Sequence, residues 1–448
     1  MRDLLLMLVM AGLLPFILVR PTTGVLVWSW LGYMNPHRLT WGFAFDFPFV
    51  MVAAVATLIA MPFSRQPKRM PWSSLTVVWF LWVLWMCVTT LVALNPADAV
   101  PEWERTMKIQ AMVLATLLLM GEREHIHRLV WVIALSIGFF GIKGGLFTIL
   151  TGGNYLVWGP AGSHIAGNNE IALALLTVLP LFRYLQVTSE NIWIKRAMVA
   201  CMVLCAASIL GSWSRGALLG GAAMCFMLWL KTRNKWLTGA VMSVALVAFL
   251  AFLPEGWFER MSTIKDYQQD QSAMGRINAW GFAVNIANER PLVGGGFRAF
   301  TPELFMKYAP TPTDFHDAHS IYFEVLGEQG YVGLLLFVSL ALIAFRTCGR
   351  IRRKAQPRPD LAWAGELAAV IQVSLVGFGV GGAFLGLAYF DLPYSLMAIV
   401  ALTNAYVDRA LAAQPVAKEG EAAQPVTRPP LPAQRTSQVP AQRTSQVT

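Results

Sequence analysis

The stretch DFHDAHSIYFEVLGEQGYVGLLLFVSLALIAF (314–345) decides how the chain is read. It begins polar, with His316, Asp317 and His319, and runs into an apolar span at 320–345. It closes a polar excursion that starts at Glu255 and includes PEGWFERMSTIKDYQQDQSAMGRINAW (254–280) and NERPLVGGGFRAF (288–300). No other polar stretch of that length separates apolar spans in the first 412 residues. Any chemistry is therefore expected there, at a membrane surface, with His319 handling the proton.

Working outward, 56% of the 448 residues are hydrophobic, 13% are charged, and the mean hydropathy is +0.53. A soluble chain carries about 25% charged residues. Repeated apolar runs of span length in this composition predict an all-α integral membrane protein, a polytopic bundle of about 12 transmembrane helices with one long outer loop containing short helices. The 17 Trp and 26 Phe suit belts at the membrane boundary. The first run, LLLMLVMAGLLPFILV (4–19), lacks a small-residue cleavage pattern, so no cleavable signal peptide is expected. Arg20-Pro21 leaves open whether residues 1–35 form one span or two.

Orientation follows from Lys and Arg in short loops. SRQPKR (64–69), RYLQVTSENIWIKR (183–196), KTRNK (231–235) and RTCGRIRRKAQPR (346–358) are basic and read as cytoplasmic. The connections at 95–106, 151–168, 212–216 and 255–319 then face the other side; the last holds six basic residues against eight acidic ones. The net charge of +10 is thus a topology signal, and nucleic acid is not expected as a partner. The five Cys lie in apolar spans or a basic loop and imply no disulfide framework. Four regions follow: an N-terminal bundle (1–254), the long loop (255–319), C-terminal spans (320–412), and a disordered cytoplasmic tail (413–448) with PAQRTSQV repeated at 432–439 and 440–447.

Cations on the outer face set this chain apart from a generic bundle. Arg215, in GSWSRGALLGG (211–221), opens a helix at a near-loopless boundary. It can snorkel to headgroups, or place its guanidinium and free backbone N–H groups on one anion. Arg276 and Trp280, four apart, share a helix face. Arg290 and Arg298 bracket PLVGGGF, whose glycines 294–296 permit close ligand approach or form a plain turn. Arg105 stands at a span entrance. Lys143, between glycines inside a span, is either functional or internally paired. The Gly- and Asn-rich segment around His164 reads as a cap over a cavity, and Asn168 and Asn169 either cap a helix or enter the site. His316 and Tyr322, flanking His319, complete the candidate substrate contacts. No metal pattern of familiar spacing occurs and no cofactor is expected. Arginines without a metal suit a diphosphate whose negative charge grows as it leaves.

AHSIYFEVLGEQGYVGLLLF (318–337), preceded by RPLVGGGFRAF (290–300), resembles the signature of the O-antigen ligase and O-antigen polymerase superfamily of bacterial envelope glycosyltransferases. The Arg-Gly pair at Arg215 resembles that family's earlier motif, and the resemblance spans roughly 165–335. The lipopolysaccharide O-antigen ligase is the nearest likeness within it. The resemblance implies transfer of an O-antigen glycan from undecaprenyl diphosphate to a lipid A–core oligosaccharide on the periplasmic face of the inner membrane, with no metal or nucleotide. The motif's histidine falls on His319 and its basic residues on Arg215, Arg276 and Arg298. A polymerase or a protein O-oligosaccharyltransferase would carry similar motifs. A lipid-linked glycan transporter is the rival from another class, expected to show charges along its spans and repeated halves.

Overall fold

The structure is a computed structural model that describes residues 1–232, 234–237, 239–240, 243–244, 247, 254–257 and 271–413. The span expected at 236–254 lies largely outside the described residues, as do loop residues 258–270 and the tail from 414. The described residues are mostly helical, with no strand among them. In chain order the helices are α1 (Arg2–Val19), α2 (Pro21–Met34), α3 (Phe49–Phe63), α4 (Ser74–Leu91), α5 (Pro96–Leu119), α6 (Arg123–Leu150), α7 (Asn168–Thr188), α8 (Ile192–Gly211), α9 (Arg215–Lys231), α10 (Gln271–Glu289), α11 (Pro302–Tyr308), α12 (Ile321–Ala355), α13 (Ala362–Gly381) and α14 (Asp391–Ala412).

Among the described residues, seven helical stretches are long and apolar enough to cross a bilayer: Arg2–Val19, Ser74–Leu91, Arg123–Leu150, Asn168–Thr188, Ile192–Gly211, Ile321–Ala355 and Pro359–Phe384. The remaining candidates are shorter, like α3 with 15 residues and α9 with 17, or more charged, like α5. Residues 1–35 form two helices, because Arg20 takes an extended conformation and Pro21 starts the second. α1, α2 and α3 pack against one another in a small cluster around Leu6, Met10, Leu31 and Phe49, beside the main core that unites α4 to α9 with α12, α13 and α14.

One expectation needs correcting. Residues 96–106, taken as a connection, are the first half of α5. Pro96 occupies the first turn and Asn95 Nδ2 donates to Asp98 Oδ2 at 2.6 Å, so local chemistry starts the helix ten residues before the apolar run does. Arg105 is consequently an interior helical residue, one turn from Glu102.

The loops sort to two ends. At one, the Leu94 N–H donates to the Gly295 carbonyl, the Val157 N–H donates to the Gly211 carbonyl, and the His164 ring meets Phe390 at 6.2 Å. At the other, Arg409 reaches the Gly121 carbonyl and Glu122, while Lys354 pairs with Asp408. The 271–309 segment carries its own core: Phe282 stacks on Phe305 at 4.5 Å, enclosed by Ile286, Ala299 and Tyr308. This small unit is a platform that delivers the chain to His319.

α12 is broken at Gly330 (φ 68°, ψ −172°). The break turns the carbonyls of Gly327 and Glu328 outward, and they accept the N–H groups of Gly295 and Gly296, each at 2.8 Å. The three glycines therefore clamp the helix break, with Gly294 and Gly296 at positive φ. A Cβ on Gly294 would stand 2.7 Å from the Gly327 carbonyl oxygen. The positive φ that the sequence allowed for these glycines is thus used at two of the three, where they clamp the helix break.

Candidate active site

The platform, the α12 break and the capping loop enclose a cavity of about 220 Å³. His319, Arg298 and Arg105 line it, together with His164, Phe300, Tyr389, Phe390 and the carboxylates Glu102, Glu170, Asp317, Glu324 and Glu328. Three predicted cations and bases thus meet in one space, but they share it with five acids.

His319 sits just before α12 in the left-handed region (φ 42°), and Arg298 does the same (φ 55°). Trp213, two residues before Arg215, has φ 56°. Non-glycine residues rarely adopt this conformation, and it gathers at functional sites because surrounding contacts must hold it. Three of the four such residues described here lie at or beside predicted site positions. Burial and the neighbouring Arg276 guanidinium push the His319 imidazole below its usual value, against the opposing pull of Asp317 and Glu170. His319 is therefore neutral at physiological pH and able to accept a proton. His164 is held down at about 4, chiefly by burial and then by Arg105, so a second neutral imidazole faces the same space.

Arg298 is doubly anchored. Its N–H donates to Glu328 Oε1 at 2.8 Å, and its guanidinium donates to Glu102 Oε2 through Nη2 (2.8 Å) and Nε (3.1 Å). Glu102 also faces Arg105 at 4.0 Å. Glu324 Oε2 accepts the Ala388 N–H at 3.1 Å and holds the loop before α14. Glu324 and Glu328 thus line the cavity and brace its walls at once.

The remaining predicted residues lie outside the cavity lining. Arg276, on α10, acts on His319 through its charge. Arg215 is the first residue of α9, behind Ser214, whose Oγ accepts the Ala217 N–H. Gly216 packs on the Gly381 carbonyl, and Gly382 packs on Ile321, which places Arg215 at the His319 end of the bundle. Asn168 is the first residue of α7, capped by Gly167, and its Nδ2 donates to the Ser212 carbonyl at 2.8 Å, buttressing the turn before Arg215. Asn169 beside it is half-buried. Trp280 stacks on Phe323 at 4.8 Å and donates to the Ala318 carbonyl at 2.9 Å, fixing the residue before His319. His316 pairs with Asp314 at 2.9 Å and packs against Gly275. Arg290 donates to the Val92 carbonyl, a tie between loops. Lys143 is exposed on the outer surface of α6 and forms no ion pair among the described residues, so internal pairing does not account for it.

Tyr322 donates to the Gly379 carbonyl at 2.8 Å, bridging α12 and α13 away from the cavity. Tyr322→Phe is accordingly expected to lower stability by about 1 kcal/mol and to leave catalysis within about twofold. A larger catalytic loss without a matching loss of stability would place Tyr322 on substrate.

Sequence reasoning missed Glu102, Asp317 and Tyr389 as site residues. Glu102 left a faint signal in PEWER, three residues before Arg105. Tyr389 left none, since it arrives from a loop some 70 residues after His319. Among the described residues no three His, Cys, Asp or Glu side chains converge as a metal-binding group.

Comparison with known families follows these residues closely. Residues 200–338, which hold Arg215, Arg276, Arg298 and His319, match the sequence profile of the family described as O-antigen ligase. That match supports membership of the O-antigen ligase/polymerase superfamily. The O-antigen ligase domain begins inside α8 and ends inside α12, so it contains the platform and the helix break. Residues 1–190 match a family of unknown function, DUF5935, and these supply Glu102, Arg105, His164 and Glu170 to the cavity. The cavity thus joins side chains from both matched segments and from the C-terminal helices. No curated protein matches the chain.

Proposed function

We propose that this protein transfers an O-antigen glycan from undecaprenyl diphosphate to a hydroxyl of the lipid A–core oligosaccharide. The observation that carries this reading is the cavity in which His319 and Arg298 meet at one end of a membrane bundle, inside a segment matching O-antigen ligase. His319 removes the proton from the acceptor hydroxyl as it attacks the anomeric carbon. The C1–O bond to the diphosphate breaks, and the leaving group departs with its charge matched by guanidiniums. Arg298 and Arg105 reach it from the cavity and Arg215 and Arg276 from the rim. A preorganised donor of this kind is worth about 3–4 kcal/mol. Direct displacement inverts the anomeric centre. Glu102 holds the Arg298 guanidinium in place until the diphosphate arrives.

In this reading the chain has about 12 spans in the bacterial inner membrane, with 255–319 as a periplasmic loop between the bundle of 1–254 and the C-terminal helices of 320–412. The C-terminal end of that last bundle and the tail 413–448 follow the basic loops to the cytoplasm. The clustering of charge at one end of the bundle weighs against a transporter, which needs charges along its spans.

The experiment is reconstitution with one lipid-linked donor and three acceptors: lipid A–core, a growing polymer, and a protein hydroxyl. Transfer to lipid A–core alone supports the ligase; transfer to polymer or protein reassigns the acceptor; no transfer to any sinks the enzyme reading. Transfer is also expected to be unchanged by EDTA. A loss restored by a divalent cation would show that a metal takes part.

A further inference from the structure

At the end of the bundle opposite His319, two cations turn toward one buried amide. Lys231 Nζ, at the last residue of α9, donates to Gln372 Oε1 at 2.8 Å, and Arg352 Nη1, near the end of α12, donates to the same oxygen at 3.4 Å. Gln372 is 4% exposed on α13, and its Nε2 is fixed by the Phe345 carbonyl at 2.8 Å. Neither cation forms an ion pair with a carboxylate among the described residues. A lone snorkelling cation reaches outward to water or headgroups. Here two like charges instead share a single neutral acceptor, an arrangement that an anion would relieve.

The surroundings specify the anion. Arg352 also lines a cavity of about 550 Å³, with Arg353 and Arg358 beside it against one carboxylate, Glu366, and with Arg358 engaged by Asp360 at 2.8 Å. On α9, Phe226 and Leu230 lie four residues apart on one outward face, 59% and 51% exposed, and lead up to Lys231. Cations next to an exposed apolar helix face match the two parts of a lipid: phosphate on the guanidinium and ammonium, acyl chains along the helix.

We propose that Lys231 and Arg352, held by Gln372 at the junction of α9, α12 and α13, form a binding site for the headgroup of an anionic phospholipid. The site lies more than about 40 Å along α12 from His319, so it stands whether or not the proposed glycan transfer is correct. A ligand that binds only the folded state raises its stability.

The test compares thermal unfolding of the full chain in nanodiscs of phosphatidylcholine with and without phosphatidylglycerol. Wild type is expected to melt higher with phosphatidylglycerol and to retain it in native mass spectra. The double variant Lys231→Gln/Arg352→Gln is expected to lose at least half of that rise and of the retained lipid, whereas Lys231→Arg keeps both. Should the double variant fail to fold, Lys231→Gln alone is read the same way. An equal phosphatidylglycerol response in wild type and variant overturns the site. Inorganic phosphate in detergent that reproduces the whole rise overturns the lipid as ligand.

Discussion

His319→Gln is expected to lower glycan transfer by about 10²–10⁴-fold, the usual worth of a positioned general base, while donor binding and the melting temperature stay near wild type. The side chain is half-buried and makes no hydrogen bond among the described residues, and glutamine keeps its bulk and polarity. Its backbone is already held at positive φ by neighbours, with Trp280 fixing Ala318 and Ser320 opening α12. The pH profile adds a second check. A base must be neutral to act, and His319 is pushed below the ordinary imidazole value of about 6.5. The acid limb of kcat/KM is therefore expected below pH ~6.5, leaving activity level through neutrality. Removing the Arg276 charge, as Arg276→Gln, is expected to move that limb upward. A limb already centred above the ordinary imidazole value in wild type would exclude His319 as the group that titrates.

The membrane class and the gathering of His319, Arg298 and Arg105 at one end of the bundle were legible because both rest on one-dimensional signals. Apolar runs announce helices, and Arg215, Arg276, Arg298 and His319 each stand at a polar-to-apolar boundary. The character of the site was not legible, because it depends on which helices touch. Glu102 reaches Arg298 across 196 residues of sequence, and Tyr389 meets Glu328 only after the chain has turned twice. A reading built on cations alone gave an anion cradle; the folded cavity is a mixed site in which a carboxylate holds the Arg298 guanidinium. The glycines take the positive φ that their sequence allows, but the contact that needs it was not legible. A ligand cradle and a clamp on a helix break demand the same φ freedom, and only the partner strand of hydrogen bonds from 327 and 328 separates them.

Gly330→Val is expected to destabilise the protein by about 4 kcal/mol or more and to abolish transfer with it. The residue's φ of 68° with ψ of −172° lies in a region that essentially only glycine enters. Space is closed as well: a Cβ would come 2.4 Å from the Leu292 carbonyl oxygen and 2.9 Å from the Gly294 nitrogen, both backbone atoms that cannot swing aside. Valine forces either a continuous helix, which withdraws the carbonyls that Gly295 and Gly296 donate to, or a shift of the 291–296 segment away from α12. Either movement detaches Arg298 from Glu328 and Glu102, so stability and site geometry fail together. Thermal unfolding of purified variants measures this, with Gly365→Ala as the control. That glycine sits in regular helix with its nearest neighbour, the Ala355 Cβ, at an ordinary 3.5 Å, and its replacement is expected to change stability by less than about 0.5 kcal/mol. A Gly330→Val protein that melts and transfers like the Gly365→Ala control would mean that α12 tolerates a straight path, and that the break does not position Arg298.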